Sequence, residues 1–277
     1  MYSLYAYPPL GVLGLAFNVL FGGHRSFHAD SKRCIERLSP PLQVSGEENI
    51  PQSGPCLITF NHYFRPGFDA WWLALAISAV VPTEMHWIMT GELTYPGKWY
   101  APLGMAGSRW LLSRFRKIYG HTTMPPMPPR PKDVEARAQA VREVLVYMKE
   151  HPHAILGLAP EGGDHPGGRL SWPAAGAGRF GLLLASRGLK FVPVGAYEAE
   201  GALCLSFGPA YRLGAAHRVG AARELSVPRG LPPEEKDRQA ARIIMQNIAR
   251  QLPLHLRGEF EPQMKGMNTD SPKFIFI

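Results

Sequence analysis

Asn61-His62 follows directly on the apolar run Cys56-Leu57-Ile58-Thr59-Phe60, and Asp69 stands downstream at the head of another apolar stretch. Imidazole titrates near about pH 6.5, so at neutral pH it is mostly unprotonated and can take a proton from a hydroxyl. A carboxylate beside it would set its tautomer and stabilise the imidazolium that forms. His62 with Asp69 therefore has the makings of a general base with an orienting acid. Asp69 could equally cap a helix beginning at Ala70, a role aspartate fills often. The residues alone leave both roles open.

Two groups farther along could share a site with His62. Ala159-Pro160-Glu161-Gly162-Gly163 closes an apolar run with an acid and two glycines, and Phe191-Val192-Pro193-Val194-Gly195 reads as a buried strand. Glycine beside the acid lets backbone approach a ligand closely. Other chemistries lack their marks. His151, His153 and His165 have no paired acidic or cysteine ligands at fixed spacing, so no metal site is expected. The glycines from Gly162 to Gly168 lack the Lys-Ser/Thr of a phosphate loop. No Gly-x-Ser-x-Gly elbow of a serine hydrolase is present.

The elements that must position these residues can be read from periodicity. Cys56 to Phe60 predicts a strand, Asp69 to Val81 a helix stopped by Pro82, and His86 to Thr90 a second strand. Asp133 to Glu150 is an amphipathic helix and His153 to Leu158 a strand. Ala174 to Arg187 is a helix closed by Gly188, followed by strands Lys190 to Val194 and Ala202 to Phe207. A last amphipathic helix spans about Pro233 to Gln251. Strands alternating with helices of this length imply an α/β fold, a single domain with a mixed, mostly parallel sheet flanked by helices. The prolines from Met124 to Pro131 require a stiff loop. The expected organisation is an N-terminal apolar or interfacial segment over 1–40, the main domain over 41–261 and a tail over 262–277.

The chain has 277 residues, 45% hydrophobic and 19% charged, enough for a sizeable core without covalent staples. Cys34, Cys56 and Cys204 are odd in number and widely spaced, which argues against a disulfide framework and secretion. The net charge of +8 suits an anionic partner such as phospholipid headgroups, a phosphorylated substrate or coenzyme A. No Lys/Arg block or RNA-binding aromatic signature occurs, so no nucleic acid is expected. Leu10 to Phe21 is apolar but shorter than the ~20 residues that span a bilayer. Tyrosines precede it and His24, Arg25, Lys32 and Arg33 follow, which suits either a segment lying in a membrane surface or a helix packed on the core. Thr94 to Lys117 mixes aromatics with Arg109, Arg114, Arg116 and Lys117 and carries the same two readings.

Asn-His followed by Asp, then Pro-Glu-Gly, then Val-Pro-Val resembles the glycerophospholipid acyltransferase family, whose members include lysophosphatidic acid acyltransferases. The resemblance runs from about Gly46 to Tyr211 and includes Gly46 to Pro51, Gly168-Arg169-Leu170 and Phe207-Gly208-Pro209. It implies that His62 deprotonates an acceptor hydroxyl, which attacks the thioester of acyl-coenzyme A or acyl carrier protein, with Asp69 holding the imidazole. No cofactor is implied. Glu161, Gly162 and Gly163 would bind the acceptor; where the family has a phosphate-binding arginine this chain has none, so either Arg65 or Arg169 substitutes or the acceptor carries no phosphate. The acceptor would be a lysophospholipid or related glycerolipid, and the enzyme would sit at a membrane, on its cytoplasmic face.

Three departures stand out. Six residues separate His62 from Asp69 where the family has four, and Pro66-Gly67 could form a turn that absorbs the two additional ones. Gly163-Asp164-His165 replaces the family's Thr-Arg. The family's second block is indistinct near Tyr119-Gly120-His121-Thr122, with Arg130 the nearest downstream arginine. These departures keep a second function in view, a catalytically silent lipid-binding or lipid-transfer protein on the same fold.

Overall fold

The apolar runs become the interior of a sheet. The computed structural model describes residues 5–95, 97–127, 130–163, 165–215, 224–228, 230–260 and 275–276. In chain order the elements are α1 (Pro9–Phe21), α2 (Phe27–Ile35), β1 (Gln43–Ser45), β2 (Cys56–Phe60), α3 (Trp71–Val80), β3 (Met85–Thr90), α4 (Ala101–Tyr119) and β4 (Thr122–Met124). They continue with α5 (Val134–Glu150), β5 (Ile155–Leu158), α6 (Ala177–Ser186), β6 (Lys190–Ala199), β7 (Ala202–Phe207), β8 (Arg212–Ala215), β9 (Glu224–Val227), α7 (Pro233–Ala249) and β10 (Ile275–Phe276).

The main sheet has the order β10-β1-β7-β6-β2-β5-β3-β4, and β8 pairs with β9 separately. From β6 to β4 every pairing is parallel, whereas β7 runs antiparallel to β6 and β10 antiparallel to β1. This is the mixed, mostly parallel α/β sheet that the alternation of elements predicts. Every residue of β2 is buried, as suits a strand covered on both faces. Burying one Leu, Ile or Phe fully is worth about 1.5–3 kcal/mol, so this strand is an energetic centre of the fold.

The crossovers decide where a site can form. From β2 the chain passes through α3 to β3, beyond β5; from β5 it passes through α6 to β6, on the far side of β2. Right-handed crossovers running in opposite directions send α3 and α6 to opposite faces of the sheet. The packing agrees, with α3 against α2 and α6 against α7. The carboxyl ends of β2 and β5 thus flank a crevice of the kind that holds ligands in open α/β sheets.

Boundaries moved for local reasons. Helix α3 ends at Val80 because Val81 precedes Pro82 and takes an extended conformation. Helix α6 starts at Ala177 rather than Ala174, and its N-terminal cap comes from another helix. Asp237 of α7 accepts the N–H groups of Gly176 and Arg179, both at 2.7 Å. The segment over 94–117 contains most of the nineteen-residue helix α4, which packs against α1. In the proline-rich stretch, Met124 ends β4, 125–127 form neither helix nor strand, and 128–129 lie outside the described residues. The expected tail also lies outside them, apart from β10.

Candidate active site

His62 lies two residues beyond the end of β2, at the crevice between β2 and β5. Asn61, only 1% exposed, fastens the strand end to β6. Its amide donates to the Ala196 carbonyl at 2.8 Å and accepts the Ala196 N–H at 2.7 Å, so a side chain continues the ladder where the backbone turns away. The next residue, His62, donates its backbone N–H to the Glu161 carboxylate at 2.7 Å. The ring is half-buried, with Nδ1 sealed from solvent.

Glu161 is an internal group. It is 7% exposed, and its second oxygen accepts the Ser171 N–H at 2.8 Å and the Ser171 hydroxyl at 3.0 Å. Burial pushes the carboxyl above the usual glutamate range, while the hydrogen bonds from His62 and Ser171 pull it back down. The carboxylate therefore ties the tips of β2 and β5 to the loop before α6. Arg65 is likewise committed inward, forking onto Glu198 with Nη2 at 2.8 Å and Nε on the other oxygen. Glu161 and Arg65, both expected to meet substrate, each have partners within the protein: His62 and Ser171 for Glu161, and Glu198 for Arg65.

The additional residues after His62 form the expected turn. Phe68 N–H returns to the Arg65 carbonyl at 3.1 Å, with Gly67 in the left-handed region at φ 77°. Asp69 follows the turn, exposed, and its Oδ1 accepts the Trp71 N–H at 3.3 Å, which caps the first turn of α3. Gly162 and Gly163 lie on the surface loop after Glu161, Gly162 exposed and Gly163 partly so. Asp164 lies outside the described residues. Gly168 approaches the histidine loop so closely that a Cβ there would stand 2.6 Å from the Phe64 carbonyl oxygen, and its φ of 64° also favours glycine.

Arg169 is exposed and lines a cleft of about 710 Å³ together with His165, Ser171, Trp172 and His255. Ser171 joins this cleft to His62 through Glu161. Arg130, near the indistinct second block, pairs with Glu92 at 2.8 Å and with Asp133. His121 of the same block is buried among aromatic rings, 5.1 Å from Phe27 and 5.7 Å from Tyr119. Among the described residues no three His, Cys, Asp or Glu side chains are grouped as a metal site.

Sequence reasoning missed Glu198, Ser171 and the anchoring role of Asn61. Glu198 had one legible mark, a carboxylate inside the apolar run after Val194. Ser171 had none, since a serine in a loop is unremarked until its partner is known.

A parallel α/β crevice with a histidine at the end of one strand and a buried glutamate at the end of its neighbour is where ligands bind in open α/β sheets. The sequence matches the Acyltransferase family over residues 41–196, more than half of the chain, and the chain belongs to that family. Among solved structures it is similar to the 1-acyl-sn-glycerophosphate (LPA) acyltransferase PlsC from Thermotoga maritima. The TM-score is 0.45 and the identity 13%, over 87% of this chain and 89% of that chain. That likeness is too distant to carry residues or substrates across. None of the curated proteins matches the chain.

Proposed function

We propose that the protein moves a fatty acyl group from acyl-coenzyme A or acyl carrier protein to a hydroxyl of a lysophospholipid or related glycerolipid. The observation that carries this reading is His62 at the carboxyl end of β2, with its backbone N–H clamped by the buried Glu161. The imidazole takes the proton of the acceptor hydroxyl as its oxygen bonds to the thioester carbonyl carbon. The tetrahedral intermediate collapses by breaking the C–S bond, and the imidazolium returns the proton to the leaving thiolate. No covalent acyl-enzyme and no cofactor is needed. Asp69 orients the imidazole in this reading in addition to capping α3, and Arg169 faces an anionic portion of a substrate from the cleft.

The reading also places the enzyme on a membrane surface, at the cytoplasmic face. Leu10, Leu13, Phe17 and Leu20 recur at spacings of three and four along α1 and are all exposed, Leu10 at 84%. Leu103 and Trp110 on the adjoining α4 extend this apolar face, with Trp99, 89% exposed, just before it. Arg114 and Lys117 on α4 supply charge that attracts anionic headgroups, while Arg109 is paired with Glu92 at 3.0 Å. Among the described residues no helix is long and apolar enough to cross a membrane.

The deciding experiment follows thiol release from acyl-coenzyme A with a panel of lysolipid and alcohol acceptors, alongside lysolipid binding. Acceptor-dependent release that disappears in His62→Ala supports acyl transfer with His62 as base. Binding of lysolipid without thiol release supports the silent lipid-binding alternative, which the exposed, helix-capping position of Asp69 favours.

A further inference from the structure

Glu198 stands next to the last residue of β6, and its side chain is 2% exposed. Four donors converge on it. Tyr5 Oη donates to Oε1 at 2.7 Å and Tyr63 Oη to Oε2 at 3.3 Å, while Arg65 gives Nη2 to Oε1 at 2.8 Å and Nε to Oε2. Arg65 supplies the countercharge that a buried carboxylate requires, and the two phenols use acceptor capacity that the fork leaves. Tyr63 and Arg65 are the first and third residues after His62. Asn61, immediately before it, is bonded to Ala196, two residues upstream of Glu198. The loop bearing His62 is therefore gripped by Glu161 at its own N–H and by the end of β6 on either side of it.

The N-terminal segment completes the grip. The Tyr5 ring packs edge-on against Phe68 at 5.4 Å, and the Arg65 guanidinium lies over the same Phe68 at 5.6 Å. Tyr7 stacks on Trp72 at 4.7 Å. Pro8 and α1 follow at once, so the apolar helix and the histidine loop are tied to one carboxylate.

We propose that Glu198 and Tyr5 are positioning residues for His62, holding the loop over 61–65 in the geometry that proton transfer needs. The proposal rests on the reading of His62 as the general base. A misplacement of about 1 Å at a reacting group costs on the order of 10²-fold in rate, so a loosened loop is read in kcat more than in substrate affinity.

Tyr5→Phe removes one hydrogen bond and keeps the ring contacts, and Glu198→Gln removes the charge that Arg65 answers. Melting temperature, amide exchange over 61–65, kcat and KM are measured for both and for the wild type. Tyr5→Phe should melt within a few degrees of wild type, exchange about 10-fold faster over 62–65, and lose about 10-fold in kcat with KM for both substrates held within about twofold. Glu198→Gln should lose more. If Glu198→Gln does not fold, Tyr5→Phe decides alone. Unchanged kcat in folded Tyr5→Phe overturns the proposal, whether or not exchange accelerates. A wild type that releases no thiol overturns it together with the reading it rests on, whereas an active wild type with unaffected variants overturns the proposal alone.

Discussion

The backbone N–H of His62 donates to the Glu161 carboxylate at 2.7 Å, across the tips of two neighbouring parallel strands. Glutamine at 161 would keep one acceptor oxygen and turn an NH₂ toward either His62 or Ser171, leaving a buried donor unpaired. The cost is about 1–3 kcal/mol. Glu161→Gln should unfold at lower denaturant with an unchanged m-value, and kcat should fall about 10-fold or more. Wild-type stability and turnover in this variant would show that the clamp contributes little.

The two roles of Asp69 can be separated because asparagine caps helices as well as aspartate does but carries no charge. Asp69→Asn should keep stability within about 0.5 kcal/mol while losing on the order of 10²-fold in kcat. Asp69→Ala should lose stability as well, by about 1 kcal/mol. Full turnover in Asp69→Asn would leave Asp69 a helix cap only.

Two buried histidines make the fold sensitive to acid. Burial lowers His86 to about 4, with His151 and Arg116 pushing the same way and a Gly120 backbone contact opposing them. Burial, then the neighbouring His86, lowers His121 to about 3, and its Nε2 has no hydrogen-bond partner among the described residues. A pH unit or more above the unfolded value of about 6.5, both rings are neutral folded or unfolded, and stability does not depend on them. As pH falls from there toward the folded values, the unfolded chain binds protons that the folded chain refuses, so stability declines by on the order of a few kcal/mol. Melting temperatures between pH 4.5 and 7.5 should show this slope, and His121→Phe should flatten it. An identical slope in the variant would assign the acid loss to other groups.

The apolar face of α1 and α4 should seat in anionic vesicles. Leu13→Ser combined with Phe17→Ser removes two exposed apolar side chains without touching the core. Sedimentation with vesicles should fall about 10-fold or more, while circular dichroism and melting stay near wild type. High salt should also weaken the wild-type interaction, since Arg114 and Lys117 act through screened charge. Undiminished sedimentation in the double variant would move the contact elsewhere.

Periodicity and side-chain type were enough to read the α/β class, most strand and helix positions, and His62 as a candidate base. These are local properties: a buried strand such as Cys56–Phe60 must be apolar throughout, and Pro82 must stop the helix that precedes it. The Pro66-Gly67 turn was legible for the same reason, because proline at the second position and glycine at the third need no distant partner. What Glu161, Arg65 and Asn61 touch was not legible. Glu161 is 99 positions from His62 and Glu198 is 133 from Arg65. Only the order in which β6, β2 and β5 lie side by side brings those groups into hydrogen-bond range. A charged residue near a motif reads the same whether it faces substrate or the protein interior. Burial and the neighbouring strand end supply the internal partners, because an ionised group withdrawn from water must find its counterpart inside.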